Sequence, residues 1–215
     1  MIQNSTLSGF LLPAETEPAQ AILIVLHGLG DSANGWSMLP DELELPGLSY
    51  VFLNAPDPYY NGFAWYDLFG IQAEGIRRSC ALLHQAIDDQ VKKGFAPSQI
   101  GLFGFSQGCV MAFEAGLRYP KRLGAIVGVS GYVFEPEALY TAADPEARQV
   151  PILMTHGTLD TLLPIEKTRA NAKLLQDLGL SLEWKEFRKA HTVAGAEEFG
   201  VIRKFLKSKL NLQAP

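Results

Sequence analysis

The chain has 215 residues, of which 47% are hydrophobic and 19% are charged, a composition typical of a folded globular domain and not of a disordered tail or a fibrous repeat. Its 18 basic and 23 acidic side chains give a formal net charge of −5. No Lys/Arg-rich run offsets this balance, so we expect no nucleic-acid partner. The chain also lacks a signal peptide pattern and any apolar run near the ~18 residues of a spanning helix. We therefore expect a cytoplasmic protein with no transmembrane segment.

Short apolar runs alternate with segments of helical period along the chain, a pattern that predicts a mostly parallel sheet with helices on both faces. The predicted strands are 21–26, 49–54, 100–105, 123–130, 150–156 and 182–187. The predicted helices are 73–93, 106–119, 164–178 and 194–210. Because no repeat or linker-like segment interrupts this alternation, we interpret residues 1–215 as a single α/β domain.

The first predicted strand runs into a glycine-rich loop, His27-Gly-Leu-Gly-Asp-Ser-Ala33, which matches the dinucleotide-binding pattern G-x-G-x-x-A. That pattern requires a well-packed helix immediately afterwards. Residues 32–46 instead contain one glycine and two prolines and no sustained apolar stripe. The glycine-rich loop therefore gives only weak support to a nicotinamide-dependent oxidoreductase, which is kept as an alternative.

A G-x-S-x-G motif, Gly104-Phe-Ser-Gln-Gly108, lies where the strand predicted at 100–105 meets the next helix. At such a turn a serine is held exposed on strained backbone, and the helix N-terminus favours negative charge beside it. The plainer interpretation is that Ser106 only caps the helix.

Two later residues complete a catalytic pattern. Asp160 follows the strand predicted at 150–156, at the sheet edge where open parallel sheets bind ligands, and His191 is the only histidine beyond the last predicted strand. The order Ser106, Asp160, His191 is that of a hydrolase nucleophile, acid and base. The Gln107 amide and the Leu29 amide of the glycine-rich loop are the predicted oxyanion donors, and His27 is expected to hold that loop.

Residues 58–70 form a predicted loop with six aromatic side chains. Because it follows a strand, it should lie at the sheet edge that carries Ser106. We predict that Phe63 and Trp65, with Leu29, bind an acyl chain there. The alternative is that the rings only cover the core.

Cysteine and histidine usage gives no sign of a metal site. Cys80 and Cys109 are expected to be reduced, buried thiols, since a domain of this size needs no disulfide. The histidines are scattered, without metal-ligand spacing. They are His27, His84, His156 and His191.

Six segments together resemble the carboxylesterase and acyl-protein thioesterase family of the α/β-hydrolase fold, over nearly the whole chain. They are Leu26-His-Gly-Leu-Gly-Asp31, Asn54-Ala-Pro56, Ala64-Trp-Tyr-Asp67, Gly104-Phe-Ser-Gln-Gly108, Val129-Ser-Gly-Tyr132 and His156-Gly-Thr-Leu-Asp160. One departure is Ala190, where family members usually carry glycine before the catalytic histidine.

The resemblance implies a cofactor-free serine hydrolase with Ser106, Asp160 and His191 as its triad and the Leu29 and Gln107 amides as its oxyanion hole. The implied substrates are small or lipid-like acyl esters and thioesters, with acylated proteins among the candidates. The family includes short-chain esterases, lysophospholipases and deacylases of lipidated proteins. A catalytically silent binding protein of the same fold is the alternative, and the oligomeric state stays open.

Overall fold

The computed structural model describes residues 7–213, in which seven strands form one sheet of order β1-β3-β2-β6-β7-β8-β9. Strand β1 is antiparallel to its neighbour, and all other pairs are parallel, so the prediction of a mostly parallel sheet is confirmed. The strands of this sheet are β1 (Gly9–Leu12), β2 (Ala21–Leu26), β3 (Leu48–Leu53), β6 (Ile100–Phe105), β7 (Ala125–Val129), β8 (Ile152–Gly157) and β9 (Leu182–Phe187). A separate hairpin pairs β4 (Asp57–Tyr59) with β5 (Gly62–Ala64).

Helices cover both faces of the sheet. The six α-helices of the described chain are α1 (Leu39–Leu43), α2 (Gln72–Lys92), α3 (Gln107–Arg118), α4 (Pro136–Ala142), α5 (Ile165–Asp177) and α6 (Ala196–Lys209). Helices α1 and α6 pack together on one face, and α2 to α5 cover the other. The long helices begin and end within a few residues of their predicted bounds. Gly94 and Gly179 adopt positive φ of 106° and 98° just beyond α2 and α5, the conformation that ends many helices.

The two halves of the core are the two faces of the parallel strands. Within β2, Leu23 and Val25 pack toward α1 and α6, whereas Ile22, Ile24 and Leu26 pack toward the opposite layer. Every residue of β2 is buried, which explains why this strand has a continuous apolar run and no alternation.

Three short elements, β1, α1 and α4, were not predicted, because four to seven residues give too little periodicity to recognise. It was also wrong to treat residues 58–70 as an irregular loop, since β4 and β5 lie within or beside them. Strand β5 pairs with the glycine-rich loop: Gly30 N–H donates to Phe63 O at 2.9 Å, and Phe63 N–H donates to Asp31 O at 2.9 Å. This pairing satisfies backbone groups that a free loop would leave to water.

Cys80 and Cys109 are free and buried, as predicted. Within residues 7–213, no helix is both long enough and apolar enough to cross a bilayer.

Candidate active site

Ser106 lies at the sharp turn between β6 and α3, with φ 53° and ψ −114°. This left-handed backbone is costly for a non-glycine residue. The flanking glycines permit the turn: a Cβ on Gly104 would lie 2.0 Å from Gly108 O, and one on Gly108 would lie 2.1 Å from Leu26 O. The turn thus depends on the G-x-S-x-G spacing, and it presents the Ser106 hydroxyl at the carboxyl edge of the sheet.

Ser106, His191 and Asp160 form a continuous chain of hydrogen bonds. His191 Nε2 lies 2.8 Å from Ser106 Oγ, and His191 Nδ1 lies 2.8 Å from Asp160 Oδ2. The residues come from three separate segments, namely the β6–α3 turn, the loop after β8 and the loop between β9 and α6. With Nδ1 protonated toward Asp160, Nε2 is free to accept the serine proton.

The loop after β8 holds Asp160 as a buried carboxylate. Its Oδ1 accepts hydrogen bonds from the Leu162 and Leu163 amides at 3.0 and 2.9 Å, and its Oδ2 accepts from His191. Burial by itself raises the pKa of Asp160, but the hydrogen bonds from Leu163 and His191 outweigh it and hold this pKa below its usual value. The Asp160 carboxylate is therefore negatively charged where it pairs with His191.

A second histidine lies close to this carboxylate without joining the hydrogen-bonded chain. His156 Nε2 is 3.7 Å from Asp160 Oδ2, but it donates to Leu163 O at 2.7 Å. Burial lowers the pKa of His156, so this ring is neutral near pH 7 and fixes the loop that carries Asp160.

The two backbone amides predicted as oxyanion donors both lie near Ser106. Gln107 is the first residue of α3, where N–H groups have no acceptor within the helix. Leu29 lies in the wall of the same cavity as Ser106, and within residues 7–213 its amide donates no hydrogen bond. The role of these two amides as oxyanion donors stays a prediction.

The glycine-rich loop that carries Leu29 is fixed by His27. The Ala55 amide donates to His27 Nε2 at 3.1 Å, so Nδ1 carries the proton and donates to Gly28 O at 2.6 Å. Burial lowers the pKa of His27, which keeps this tautomer neutral. The loop continues into a 3-10 turn at Ala33–Trp36, so it lacks the α-helix that a dinucleotide-binding loop requires.

Trp65 does not line the cavity beside Ser106, and this part of the predicted acyl site is wrong. Its ring is fully buried, and its indole Nε1 donates to His27 O at 2.9 Å. Its amide donates to Gln107 Oε1 at 2.8 Å, and Gln107 Nε2 donates to Tyr66 O at 2.7 Å. These hydrogen bonds hold the Trp65 ring in the interior. They connect it both to the glycine-rich loop and to the start of α3, the two segments that carry the predicted oxyanion donors.

Phe63 is likewise absent from the cavity wall, because its side chain packs against the core on the α2–α5 side of the sheet. Its contribution to the site is its backbone, which pairs with Gly30 and Asp31. Of the three predicted acyl contacts, only Leu29 borders the cavity.

The cavity beside Ser106, here called the catalytic cavity, has a volume of about 370 Å³. Six of its wall residues were not singled out from the sequence. They are Tyr66, Leu68, Phe105, Tyr132, Leu162 and Leu163. Three of them could have been singled out from the sequence. Leu162 and Leu163 closely follow Asp160, and Tyr132 ends the Val129–Tyr132 segment.

A second cavity of about 660 Å³, here called the adjoining cavity, shares Leu68, Tyr132 and Leu163 with the first. Its remaining wall comes from Gln72 at the start of α2, from residues 133–136, and from Pro164 and the first turns of α5. The two cavities together give a mostly apolar space that begins at the Ser106 hydroxyl.

No group of three or more His, Cys, Asp or Glu side chains in residues 7–213 is arranged to hold a metal ion.

The backbone at Ala190 lies outside the left-handed region, so the loop before His191 does not need the glycine that is usual there.

Comparisons with known proteins agree with this architecture. The sequence profile of the phospholipase/carboxylesterase family matches residues 10–210. The acyl-protein thioesterase 1 of Schizosaccharomyces pombe is 36% identical over 203 residues, which cover 87% of this chain and 90% of that protein. The crystal structure of esterase PE8 is 29% identical, with a TM-score of 0.84 and coverage of 94% of this chain and 98% of that one. Zea mays acyl-protein thioesterase 2 is 26% identical, with a TM-score of 0.79 and coverage of 94% and 99%.

Proposed function

This chain belongs to the phospholipase/carboxylesterase family of hydrolases, and we propose that it cleaves acyl esters and thioesters through a covalent intermediate on Ser106. The observation that carries the proposal is the unbroken line of hydrogen bonds from Ser106 Oγ through His191 to Asp160, which opens into an apolar cavity. A catalytically silent member of the fold would have no need to keep all three groups in contact.

In the first half of the proposed reaction, Ser106 Oγ attacks the acyl carbonyl carbon while its proton passes to His191 Nε2. The carbonyl oxygen becomes negative and accepts hydrogen bonds from the Leu29 and Gln107 amides. The negative charge of Asp160 stabilises the imidazolium. When the intermediate collapses, the bond to the leaving oxygen or sulfur breaks, and that atom takes the proton from His191.

The second half repeats the chemistry with water. His191 removes a proton from the water as it attacks the acyl-enzyme, and the same two amides stabilise the second oxyanion. Collapse returns a proton to Ser106 Oγ and releases the carboxylic acid. Each step uses side chains and amides of this chain, with no cofactor.

The proposed substrates carry an apolar acyl chain of more than two carbons. The catalytic cavity would hold the first carbons against Leu29, Leu162 and Leu163, and the adjoining cavity offers room beyond Tyr132. The names of the relatives, which are thioesterases of acylated proteins, support a lipid-like acyl group on a small molecule or on a protein. Each buried methylene should contribute ~0.8 kcal/mol to binding.

A fluorophosphonate probe and p-nitrophenyl butyrate test the proposed mechanism together. The wild-type protein should be labelled and should hydrolyse the ester. Ser106→Ala should do neither, and Ser37→Ala, which changes an exposed serine, should behave as wild type. Hydrolysis by Ser106→Ala at a rate near wild type would refute the proposal. A matched pair of butyryl oxoester and thioester would then show which leaving atom is preferred.

A further inference from the structure

The loop between β9 and α6, which carries His191, contains a buried ion pair that the reaction itself does not use. Lys189 Nζ lies 2.6 Å from Glu198 Oε1 and 2.8 Å from Glu198 Oε2. The Lys189 side chain is 2% exposed and that of Glu198 is 0% exposed. Lysine and glutamate are rarely buried to this extent.

The Glu198 carboxylate contacts the loop on both sides of His191. It binds the ammonium of Lys189, two residues before His191, and its Oε2 accepts a hydrogen bond from the Ala194 amide, three residues after it, at 2.7 Å. Because Glu198 lies in the first turn of α6, one carboxylate fixes the loop to a helix packed on the sheet.

Lys189 also connects this loop to the one that carries Asp160. The Leu159 amide donates to Lys189 O at 3.0 Å, and a Cβ on Gly157 would lie 2.3 Å from the same carbonyl oxygen. The position of Lys189 therefore fixes the distance between the His191 loop and the Asp160 loop.

Stability does not explain why charges are used here. Two buried charges lose their hydration, and well-packed apolar residues in place of such a pair are often equally stable or more stable. Burial lowers the pKa of Lys189, against which the charge of Glu198 and then that of Asp160 act.

We propose that Lys189 and Glu198 are positioning residues that hold His191 in line with Ser106 and Asp160, so that the pair serves turnover more than folding. This inference rests on the proposed function of Ser106. Without Glu198, the Lys189 ammonium would lose both hydrogen bonds to that carboxylate inside a buried site. Without Lys189, the loop would keep only the Ala194 contact.

The test compares Glu198→Gln, Lys189→Met and the double variant K189M/E198Q. The double variant removes both charges and keeps the side-chain lengths. We expect the Tm of the double variant to lie within a few degrees of the wild-type Tm. Its kcat for p-nitrophenyl butyrate should fall roughly tenfold to a hundredfold, since small displacements of catalytic groups cost that much. The KM should change less than about threefold, and fluorophosphonate labelling should slow by the same factor as kcat.

Glu114→Gln is the matched control, because Glu114 is also a buried glutamate paired with a cation, Arg118, on the far part of α3. It should lower Tm without changing kcat. A double variant with wild-type Tm and wild-type kcat would overturn the inference, as would a kcat loss accounted for by the unfolded fraction.

If the double variant does not fold, Glu198→Asp decides, because it keeps the charge and shortens the side chain. A folded Glu198→Asp with lowered kcat supports the inference, and one with wild-type kcat overturns it. If Ser106→Ala is inactive and these variants keep wild-type turnover, only the positioning role fails. If Ser106→Ala is active, the proposed function fails first.

Discussion

Replacing Trp65 with phenylalanine should damage turnover without changing acyl-chain preference. The indole N–H is the group lost, and in the structure it donates to His27 O at 2.9 Å from a fully buried ring. His27 begins the loop that carries the Leu29 amide, so the loss should loosen one of the two proposed oxyanion donors. The ring does not border the catalytic cavity, so no acyl contact is lost with it.

The magnitude follows from these contacts. An unpaired buried carbonyl costs about 1–3 kcal/mol, and the space left by the smaller ring adds about 1 kcal/mol. In a chain of this length each kcal/mol lowers Tm by about 2–4 °C, so the Tm of Trp65→Phe should fall by about 5–15 °C. Complete removal of an oxyanion donor costs about 10²–10³ in kcat. A loosened donor should therefore cost roughly tenfold.

The assay is kcat/KM for p-nitrophenyl acetate, butyrate and hexanoate, measured well below the Tm. Trp184→Phe is the control, since it removes an indole N–H that donates to Glu186 at a more exposed position. It should leave turnover unchanged. If the loss for Trp65→Phe grows with acyl length, Trp65 contacts the acyl chain and this reasoning is wrong.

Two other outcomes are expected. Leu68→Trp, at the border of the two cavities, should lower kcat/KM for octanoyl esters several-fold and leave acetyl esters unchanged; an equal loss for both esters would show that the acyl chain does not extend from the catalytic cavity into the adjoining cavity. Burial lowers the pKa of His27, His84 and His156. The unfolded chain therefore binds more protons below about pH 6.5, and the Tm should fall between pH 7 and 5.5; a flat or rising Tm would disagree.

The parts of the site that were predictable from the sequence are those fixed by local backbone rules. The Gly104–Gly108 motif predicted the sharp turn at Ser106 because each glycine is required by a close backbone approach in the same turn. The place of Asp160 at the sheet edge was predicted because this residue follows a strand with a clear apolar run. The relative position of His191 could be inferred only from chain order.

The parts that were not predictable depend on partners far away in the chain. Trp65 was expected in the acyl site because an aromatic residue in a loop is a common ligand contact. Hydrogen bonds to the His27 carbonyl and the Gln107 side chain instead hold Trp65 in the interior. Neither contact could be recognised from the spacing of residues near Trp65 in the sequence. Lys189 and Glu198 were not singled out for the same reason, since only the packing of α6 against the loop buries them.

The measurement that tests the central claim most directly is the intact mass of the protein, quenched with acid during turnover of p-nitrophenyl butyrate, followed by peptide mapping. We expect a mass increase of one butyryl group, located on Ser106 and absent from Ser106→Ala. Ester hydrolysis that proceeds while the acyl group is found on another residue would contradict the assignment of Ser106 as the nucleophile.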